Sequence, residues 1–513
     1  MLMVIISISS ANTGYDGSLL NAFQSIPDWM RAMSNPTGAT LGALSNGVVF
    51  GVALGFFVTS YVSDRFGRRN TITIGNAFMF GGSVVQSCAG TWLTVSGERD
   101  HDDGMRTYAM FLIARIIIGF GNSMTMVASP SLISELSYPT HREVVTAFYN
   151  SNWYLGAIVS SWCSYGTRNL SSNWSWRVPT ILQGFFPLIQ FFLIYLVPES
   201  PRFLVSKGRN DEARDILLKH HGGGDESKGG ALVDFELAEI EMAIEEEKLA
   251  DKSSYLDFFK TPGNRKRLWI LVWIAILMQL SGNGLVSYYL NKVLVSIGIN
   301  NTDEQLLFTG GLMIYNYVIS IFINLFAFQH TKRRPMFIIS VSLMLLFYVI
   351  WTILSAINQQ RNFEDKALGK GVLAMIFLYY FAYNLGLNGL PYLYMTEITS
   401  YQIRAKGINI NVFGQELGQI YNNFVNPIAM DAIEWKYYIV WCCILAVELI
   451  VVILTFVETS GRTLEEVAEV FDEKIENFDM KLIKEKAQIS HAEHVDNSND
   501  GSSVTDKSTG LMV

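Results

Sequence analysis

Two residues of opposite charge lie inside apolar stretches of the chain. Asp16 falls within the apolar segment 1–22, and Arg115 interrupts the apolar run 111–120. A charged side chain within hydrocarbon is costly, so an ionisable residue in such a stretch is a functional candidate by default. Asp16 could take up and release a proton, with Arg115 as the counter-ion of its charged form. The alternative is a static buried ion pair.

Two more carboxylates interrupt apolar stretches nearer the C-terminus. Glu416 follows Gln415 within the segment 408–429, and Glu448 lies in the segment 436–456. Glu416 could accept hydrogen bonds from hydroxyl groups of a ligand, or help to move a proton. Alternatively, neighbouring amides hold its carboxylate within helix packing.

The remaining reactive residue types form no pattern typical of catalysis or metal binding. The four cysteines lie in apolar stretches without a CxxC spacing and are predicted to be packing residues; they are Cys88, Cys163, Cys442 and Cys443. None of the seven histidines falls within an apolar segment, so no histidine proton relay is expected. We find no Ser/His/Asp, metal-ligand or nucleotide-binding constellation, and expect no metal, no cofactor and no enzymatic activity.

The elements that must position the buried charges are apolar segments long enough to cross a bilayer. The 513-residue chain is 50% hydrophobic and only 16% charged, whereas soluble domains carry about 25% charged residues. A spanning helix needs about 20 apolar residues. Twelve stretches have this length, six on each side of a hydrophilic break, and they lie near 1–22, 43–63, 70–93, 107–128, 146–166, 178–197, 269–291, 306–328, 336–357, 371–394, 408–429 and 436–456. We therefore predict an all-α membrane protein with twelve transmembrane helices in two six-helix halves.

A basic turn follows the second predicted helix of each half. The first turn is Asp64–Arg69, and the second lies at 329–335. Because basic loops are retained in the cytoplasm, these turns predict cytoplasmic N- and C-termini. The sequons that begin at Asn169, Asn173 and Asn300 then all fall in outside loops, as glycosylation requires. The repeated turn indicates two copies of one multi-helix unit, an architecture typical of transporters.

Composition divides the chain into four parts. We predict an N-terminal half at 1–197, a cytoplasmic helical linker at 198–267, a C-terminal half at 268–456 and a cytoplasmic tail at 457–513. Within the linker, the helix-forming runs are 210–220 and 234–249. The end of the tail, from about residue 490, is rich in Ser, Asp and Asn and is predicted to be disordered.

A set of short motifs stands in order at the ends of the predicted helices. They are Gly14-Tyr15-Asp16, Asp64–Arg69, Arg115 with Gly119 and Gly121, Glu135 with Arg142, Pro198–Leu204, Gln279–Gly282 with Tyr288 and Tyr289, Pro391–Glu397 with Arg404, and Val457–Leu464. This ordered set resembles the sugar porters of the major facilitator superfamily. Two further stretches, Phe148–Asn150 and Ser281–Tyr289, most resemble the fungal lactose-permease branch, which includes cellodextrin carriers.

The resemblance implies a ligand site at the bilayer midplane between the halves. Sugar hydroxyls both donate and accept hydrogen bonds, so such a site needs amides and aromatic faces. The implied residues are Asn150, Gln279, Asn283, Tyr288, Tyr289, Asn384, Asn388, Tyr392, Gln415 and Glu416. Met278, Gly284 and Tyr317 stand where relatives carry amides, although Asn316 is adjacent to Tyr317. Glu448 lies in a helix that is peripheral in the family, which favours a structural role.

The resemblance also implies roles for the charged residues. In proton-coupled members the first-helix Asp and fourth-helix Arg form a pair. Protonation of Asp16 from outside would then loosen it from Arg115, so that the loaded carrier closes outward and opens inward. Salt bridges within each half would hold an inner gate, and because exposed pairs contribute only about 0–1 kcal/mol each, only a network could bias the equilibrium. The gate residues are Asp64, Arg68, Arg69, Glu135, Arg142, Glu199, Arg333, Arg334, Glu397, Arg404 and Glu458.

The sequence thus predicts a plasma-membrane transporter that works by alternating access. We expect proton-coupled uptake of a disaccharide such as lactose or cellobiose, or of a hexose. A hexose or polyol facilitator without proton coupling and a non-transporting sugar receptor are the alternatives. The expected partners are a small-molecule sugar, a proton and the lipid bilayer, and no nucleic acid.

Overall fold

The computed structural model describes most of the chain. The residues that it describes are 2–90, 101–138, 142–170, 173–224, 226–250, 254–326, 331–361, 363, 366–399, 401–460, 467 and 470–471. The tail predicted to be disordered from about residue 490 and the side chain of Arg142 lie outside the described set.

Every regular element in these residues is a helix. A spanning segment must satisfy its backbone N–H and C=O groups internally, and a helix does so within one segment. Short 3₁₀ turns at Ile194–Leu196 and Glu434–Lys436 extend two of the helices. The α-helices are α1 (Leu2–Phe23), α2 (Pro27–Ala32), α3 (Gly38–Phe66), α4 (Arg68–Ser87), α5 (His101–Leu136), α6 (Arg142–Thr167), α7 (Trp174–Gln183), α8 (Phe185–Leu193), α9 (Pro201–Ser206), α10 (Asn210–His220), α11 (Glu226–Ala250), α12 (Asp257–Lys260), α13 (Pro262–Leu280), α14 (Asn283–Ser296), α15 (Thr302–Phe326), α16 (Arg333–Gln360), α17 (Lys366–Gly386), α18 (Leu390–Ile398), α19 (Tyr401–Ile433) and α20 (Tyr437–Thr455).

Eight stretches of the described chain are long and apolar enough to cross a membrane by length and composition. The last of them, Lys406–Thr455, contains most of α19 and all of α20. Helices α1, α4 and α6 are not among the eight, because asparagine, serine and threonine dilute their apolar residues. Each of the three nevertheless packs along a long neighbour, α1 on α6 and α4 on α5. Together these helices account for the twelve predicted spans.

Three spans that the sequence predicts as continuous are broken. Helices α7 and α8 meet at Gly184, α13 and α14 at Ser281–Gly282, and α17 and α18 at 387–389. Gly282 has φ +89°, and a Cβ there would lie 2.6 Å from the Tyr348 ring, so only glycine fits this left-handed turn. Unwound backbone within a span is tolerated where it is buried in protein or lines a cavity.

The spans form two bundles that meet along three helix pairs. In the first bundle α1 packs on α6, while α3 and α4 pack on α5; in the second, α16 packs on α17 and α20, and α13 on α19. The bundles meet where α3 packs on α19, α6 on α15, and α1 on α14. If the two halves are exchanged, the contact of α3 with α19 takes the place of the contact of α6 with α15. The contact of α1 with α14 keeps its own place. The architecture is therefore that of a pseudo-two-fold repeat.

Glycines on α3 bring it into direct backbone contact with α5. The spacing of Gly47, Gly51 and Gly55 predicts such a close approach, and the structure confirms it. A Cβ on Gly51 would lie 2.1 Å from the carbonyl oxygen of Ile116, and one on Gly55 would lie 1.9 Å from the Ser123 Oγ.

The linker lies at the end of the molecule that carries the basic turns, which we call the basic side; the other end is called the opposite side. Helix α11 begins at Glu226, eight residues before the predicted run at 234. Arg214 of α10 explains the earlier start, because it forms ion pairs with Glu226 (2.5 Å) and Asp234 (2.9 Å) of α11. His221 Nδ1 also lies 2.7 Å from Glu236, and its Nε2 lies 3.3 Å from the carbonyl oxygen of Leu136 at the end of α5.

Candidate functional site

Asp16 and Arg115, predicted to be partners, lie together in the core of the first bundle. Asp16 Oδ1 of α1 is 3.6 Å from Arg115 Nη1 of α5, and each residue is only 3% exposed. The amide of Gln183, at the end of α7, donates a 2.6 Å hydrogen bond to the same carboxylate oxygen. Arg115 Nε and Nη1 have no hydrogen-bond partner among the described residues. The charges are therefore paired without a direct hydrogen bond, which is a weak connection for a buried ion pair.

Gln183 is a site residue that the sequence analysis missed. It stands in the predicted sixth span as an isolated amide between apolar residues and Gly184. A buried amide needs partners for its donor and acceptor groups, and this requirement was the available signal. The pairing with Asp16 depends on how α7 packs on α1, which no local pattern specifies.

A chain of amides and hydroxyls connects α6 of the first bundle to α15 and α17 of the second. The Tyr154 hydroxyl donates to Asn384 Oδ1 (3.1 Å), and Asn384 Nδ2 donates to Asn316 Oδ1 (3.0 Å). Asn388 Nδ2 donates to Asn384 Oδ1 (3.0 Å) and to the Ser320 Oγ (3.1 Å). The predicted pair Asn384 and Asn388 is thus brought together, while Tyr154 and Ser320 were not predicted. This series of amides and hydroxyls can exchange hydrogen bonds with a hydroxyl-rich ligand.

The broken span α13–α14 places its own polar residues beside this series of amides and hydroxyls. The Ser287 hydroxyl donates to Asn283 Oδ1 (2.8 Å) and lies 2.8 Å from the Tyr380 hydroxyl. Gln279, one turn before the break, packs against Gly418 of α19. Gln279 and Asn283 are half-buried, so both amides have room to meet a ligand.

Glu416 lies on α19, which packs against α14 and α18, the helices that carry Tyr288 and Tyr392. The neighbouring Gln415 donates a 2.6 Å hydrogen bond to Asn411 Oδ1 on its own helix. Glu416 is half-buried, and no ion pair to it occurs among the described residues.

Asn150 and Tyr289 of the predicted set differ in exposure. Asn150 is exposed on α6, next to Ser151, whose Oγ lies 3.2 Å from the Ser320 Oγ, whereas Tyr289 is fully buried. The Tyr289 hydroxyl donates to the Asn423 carbonyl oxygen (2.7 Å) and lies 3.1 Å from the Ser45 Oγ. Tyr289 therefore joins α14, α3 and α19 at the opposite side of the molecule.

Further contacts between the bundles close the opposite side, and we call this set the seal. The amide of Gln24 donates to the carbonyl oxygen of Tyr288 (3.0 Å), that of Asn291 donates to the Ser25 Oγ (3.0 Å), and that of Asn423 donates to Asn46 Oδ1 (3.0 Å). Arg168 forms an ion pair with Asp303 across the same boundary. The seal comprises these residues together with Ser45 and Tyr289.

The specific contacts between α3 and α19 lie toward the opposite side. The Phe50 and Phe424 rings are 6.5 Å apart between centroids, and Asn46 and Asn423 are joined one turn earlier on α3. Toward the basic side, Leu54, one turn after Phe50, is 61% exposed, and Phe413, three turns before Phe424, is 64% exposed.

The predicted gate residues assemble into two similar clusters, one in each half. Glu199 accepts hydrogen bonds from the backbone N–H of Arg68 (3.0 Å) and Arg69 (3.2 Å), and Arg68 also lies 3.5 Å from Glu135 and from Asp64. In the second half, Glu458 accepts from the backbone N–H of Arg333 (3.0 Å) and Arg334 (3.2 Å), Arg333 lies 3.3 Å from Glu397, and Arg404 donates to the Thr399 carbonyl oxygen (3.3 Å). These contacts all lie within one half, so they leave the basic side free to open.

Comparisons with known proteins agree with this architecture. The family profile described as "Sugar (and other) transporter" matches residues 2–471. The chain is 26% identical to the MFS-type transporter criB of Aspergillus cristatus over 92% of each chain. It is also 26% identical to Hexose transporter 2 of Kluyveromyces lactis, over 93% of this chain and 82% of the relative.

Solved structures with the same fold include two forms of one transporter. The proton:xylose symporter XylE bound to 6-bromo-6-deoxy-D-glucose aligns with a TM-score of 0.71 at 22% identity, covering 92% of this chain and 98% of the other. The inward open conformation of XylE from E. coli aligns with a TM-score of 0.74 at 21% identity, covering 91% and 98%. The predicted fold of twelve helices in two six-helix halves is confirmed.

Proposed function

The chain belongs to the sugar (and other) transporter family, whose profile covers residues 2–471, and from that premise we propose that its cargo is a sugar moved by alternating access. As a member of this family it is an integral membrane carrier and not an enzyme. The observation that carries the proposal is the set of amides and tyrosines that joins the two bundles, together with the seal on the opposite side. With the basic turns in the cytoplasm and the carrier in the plasma membrane, the seal would lie on the outer side, and we infer an inward-facing state.

Proton coupling is the mechanism that the buried pair supports. Asp16 and Arg115 are held 3.6 Å apart without a direct hydrogen bond. Neutralisation of Asp16 therefore removes the negative charge that pairs with the guanidinium among the described residues. Arg115 also packs against Gly47 of α3, where an added Cβ would lie 2.9 Å from the Arg115 Cβ. Gly47 adjoins Asn46, a residue of the seal, so a change in charge at Asp16 could reach the seal through Arg115 and α3. This linkage would let proton loading bias which side is open.

The proposed cargo is a disaccharide such as lactose or cellobiose, or a hexose. Resemblance of Phe148–Asn150 and Ser281–Tyr289 to the fungal lactose-permease and cellodextrin branch favours the disaccharide. Relatives named as hexose transporters favour the hexose. A facilitator without coupling is the second candidate, because Gln183 and Arg115 bury Asp16 in an arrangement that would also suit a static pair.

Uptake of labelled lactose, cellobiose and glucose into a yeast that lacks its own sugar carriers tests the proposal. Expression of the chain should confer saturable uptake of at least one of these sugars, and uptake should be accompanied by alkalinisation of the medium. Uptake without any pH change would support the facilitator. If protein that reaches the cell surface transports none of the three sugars, the proposed function is wrong.

The seal yields a specific prediction for Tyr289→Phe. Loss of the hydroxyl removes its bonds to Asn423 and Ser45, and a net loss of about 1–2 kcal/mol should favour opening of the opposite side about 5- to 30-fold. A cysteine placed at buried Val49, in a chain whose four native cysteines are replaced by serine, should then react several-fold faster with a membrane-impermeant thiol reagent added outside cells.

Tyr315→Phe is the matched control for this measurement. Tyr315 packs its ring edge-on against Phe377, 4.9 Å between centroids, away from the seal. Its replacement should leave the labelling rate unchanged. Equal rates for the Tyr289 variant and the parent would show that the tyrosine hydroxyl does not hold the seal closed.

A further inference from the structure

One side of α6 is directed at the second bundle, and Trp153 lies on it. An α-helix turns once in about 3.6 residues, so positions 150, 153, 154 and 157 share one side of α6, and positions 148, 155 and 159 share the other. On the first side, the Tyr154 hydroxyl donates to Asn384 of α17 (3.1 Å), and Ala157 packs in one apolar cluster with Met313 of α15. The exposed apolar residues of the other side are Phe148, Leu155 and Val159. Trp153 therefore lies on the side of α6 that faces the second bundle and away from the side that faces lipid.

The indole of Trp153 is held by neighbours on two sides. The Tyr154 ring stands at 89° to the indole, with 5.3 Å between the ring centroids. On the α1 side, a Cβ added at Gly17 would lie 3.4 Å from Cζ2 of the indole. Gly14, one turn earlier on α1, allows the two backbones to approach, since a Cβ there would lie 1.8 Å from the Trp153 carbonyl oxygen. An aromatic ring held in this way is preorganised, so little entropy is lost when a ligand binds against it.

Part of this indole is left uncovered by the protein. Trp153 is half-buried, and its Nε1–H makes no hydrogen bond among the described residues. By contrast, Nε1 of Trp176 donates to Asn173 Oδ1 (3.3 Å). The indole Nε1–H can only donate, so it suits an oxygen of a ligand. The uncovered ring suits an apolar surface on the same ligand.

Groups that can bind hydroxyls lie on the same side of α6. Asn150, one turn before Trp153, is exposed although this side is directed at the second bundle, so its amide is open to a ligand. Tyr154 leads into the series of amides and hydroxyls at Asn384 and Asn388. A pyranose carries hydroxyl groups around its rim and C–H groups on its faces. An aromatic ring can bury a C–H face while amides exchange hydrogen bonds with the rim, whereas an acyclic polyol offers the hydroxyls without a rigid C–H face.

We propose that Trp153 is the platform on which the sugar ring stacks, and that it makes the carrier prefer a pyranose to an acyclic polyol. This inference rests on the proposed function, because it requires a sugar to bind between the two bundles. Stacking removes the C–H face of the sugar from water against a large aromatic surface. The Nε1–H at the edge of the indole donates to a hydroxyl or ring oxygen.

Competition against uptake of labelled glucose, lactose or cellobiose, whichever the full chain transports, tests the platform. Unlabelled glucose and sorbitol should be compared as inhibitors, because sorbitol carries the hydroxyls of glucose without its ring. In the wild type, glucose should inhibit at least about tenfold more strongly than sorbitol. In Trp153→Leu, half-inhibition should require about tenfold more glucose, and the preference over sorbitol should fall to about twofold or less. Trp153→Phe keeps a stacking face, so its loss of glucose inhibition should stay below about threefold.

Trp162→Leu is the matched control for the leucine variant. Trp162 lies on the same helix but outside the side that carries Trp153, where it packs against Gly310 of α15 and is 39% exposed. Its replacement should keep the wild-type inhibition by both compounds. A loss as large as that of Trp153→Leu would show a general effect on the packing of α6 and would overturn the proposal.

The other outcomes are equally decisive. Equal inhibition by glucose and sorbitol in the wild type would overturn the proposal, as would a preference for glucose that survives in Trp153→Leu. If Trp153→Leu does not reach the membrane, the order of the two inhibitors in the wild type decides alone. Wild-type uptake reports separately on the proposed function: uptake with no preference for glucose over sorbitol defeats only the platform. Absence of both uptake and binding of glucose, lactose and cellobiose in protein at the cell surface defeats both proposals.

Discussion

Asp16→Asn is expected to abolish accumulation of sugar against a gradient while sparing downhill movement. Asparagine keeps the shape of the side chain and an oxygen that can accept the Gln183 amide, which now lies 2.6 Å from the carboxylate. It cannot take up a proton, so the sugar step loses its link to the proton gradient. For one proton per sugar, a gradient of one pH unit sustains about tenfold accumulation. That ratio should fall to about one in the variant.

The measurement is the steady-state ratio of internal to external labelled sugar at external pH 5.5, in cells that do not metabolise it. Asp431→Asn is a suitable control, because Asp431 pairs with Lys292 at 2.5 Å on the opposite side, away from the buried pair. The control should accumulate sugar like the parent. Accumulation that survives in Asp16→Asn would show that Asp16 and Arg115 form only a static ion pair.

Gly51→Ala is expected to cause a large loss of stability. The added Cβ would lie 2.1 Å from the Ile116 carbonyl oxygen and 2.7 Å from the backbone nitrogen of Phe120. Both obstacles are backbone atoms of α5, so no side chain can rotate away and the two helices must separate. Overpacking costs about 1–3 kcal/mol and occasionally more, and we expect the upper end here. The detergent-solubilised variant should show a lower melting temperature and a smaller monodisperse fraction than the parent.

Gly81→Ala provides the matched control, because nothing lies within 4 Å of a Cβ added at Gly81 on α4. Alanine is the better helix former by about 1 kcal/mol, so this variant should melt at the same temperature as the parent or slightly above it. Equal behaviour of the two alanine variants would contradict the backbone contact between α3 and α5.

The spans and the clustering of charges followed from the sequence because both depend on local chemistry. A run of about 20 apolar residues has few alternatives to a spanning helix, and the glycine spacing on α3 indicated a close helix contact. The acids and arginines at the helix ends were predicted through their motifs, and the structure places Glu199 and Glu458 in matching positions at the two basic turns. The fold could therefore be predicted from the sequence.

The contacts inside the candidate site could not be predicted from the sequence as fully as the fold, for physical reasons. The break at Gly282 depends on the Tyr348 ring, which is distant in sequence and fills the space where a Cβ would be. Gln183 reaches Asp16, and Tyr154 reaches Asn384, only because separate helices pack side by side. Such pairings are decided by tertiary packing and leave no periodicity in the sequence.

The conformational state likewise could not be predicted, since both states of an alternating carrier use the same sequence. Tyr289 shows how the contacts of one residue depend on the conformational state. Its motif indicated a ligand-site residue, whereas in this state its hydroxyl is used by Asn423 and Ser45 in the seal. Its contact with a ligand remains a prediction for a state in which the seal is open.

The central claim is that proton and sugar move together, and sugar-driven proton flux tests it most directly. The purified full chain would be reconstituted in liposomes that contain a pH-sensitive dye, and a sugar found to be transported would be added outside without any initial pH gradient. The account predicts acidification of the lumen that depends on the sugar, collapses with a protonophore and is absent for Asp16→Asn. Equilibration of labelled sugar across the same membranes with no change in lumenal pH would contradict it and leave a facilitator.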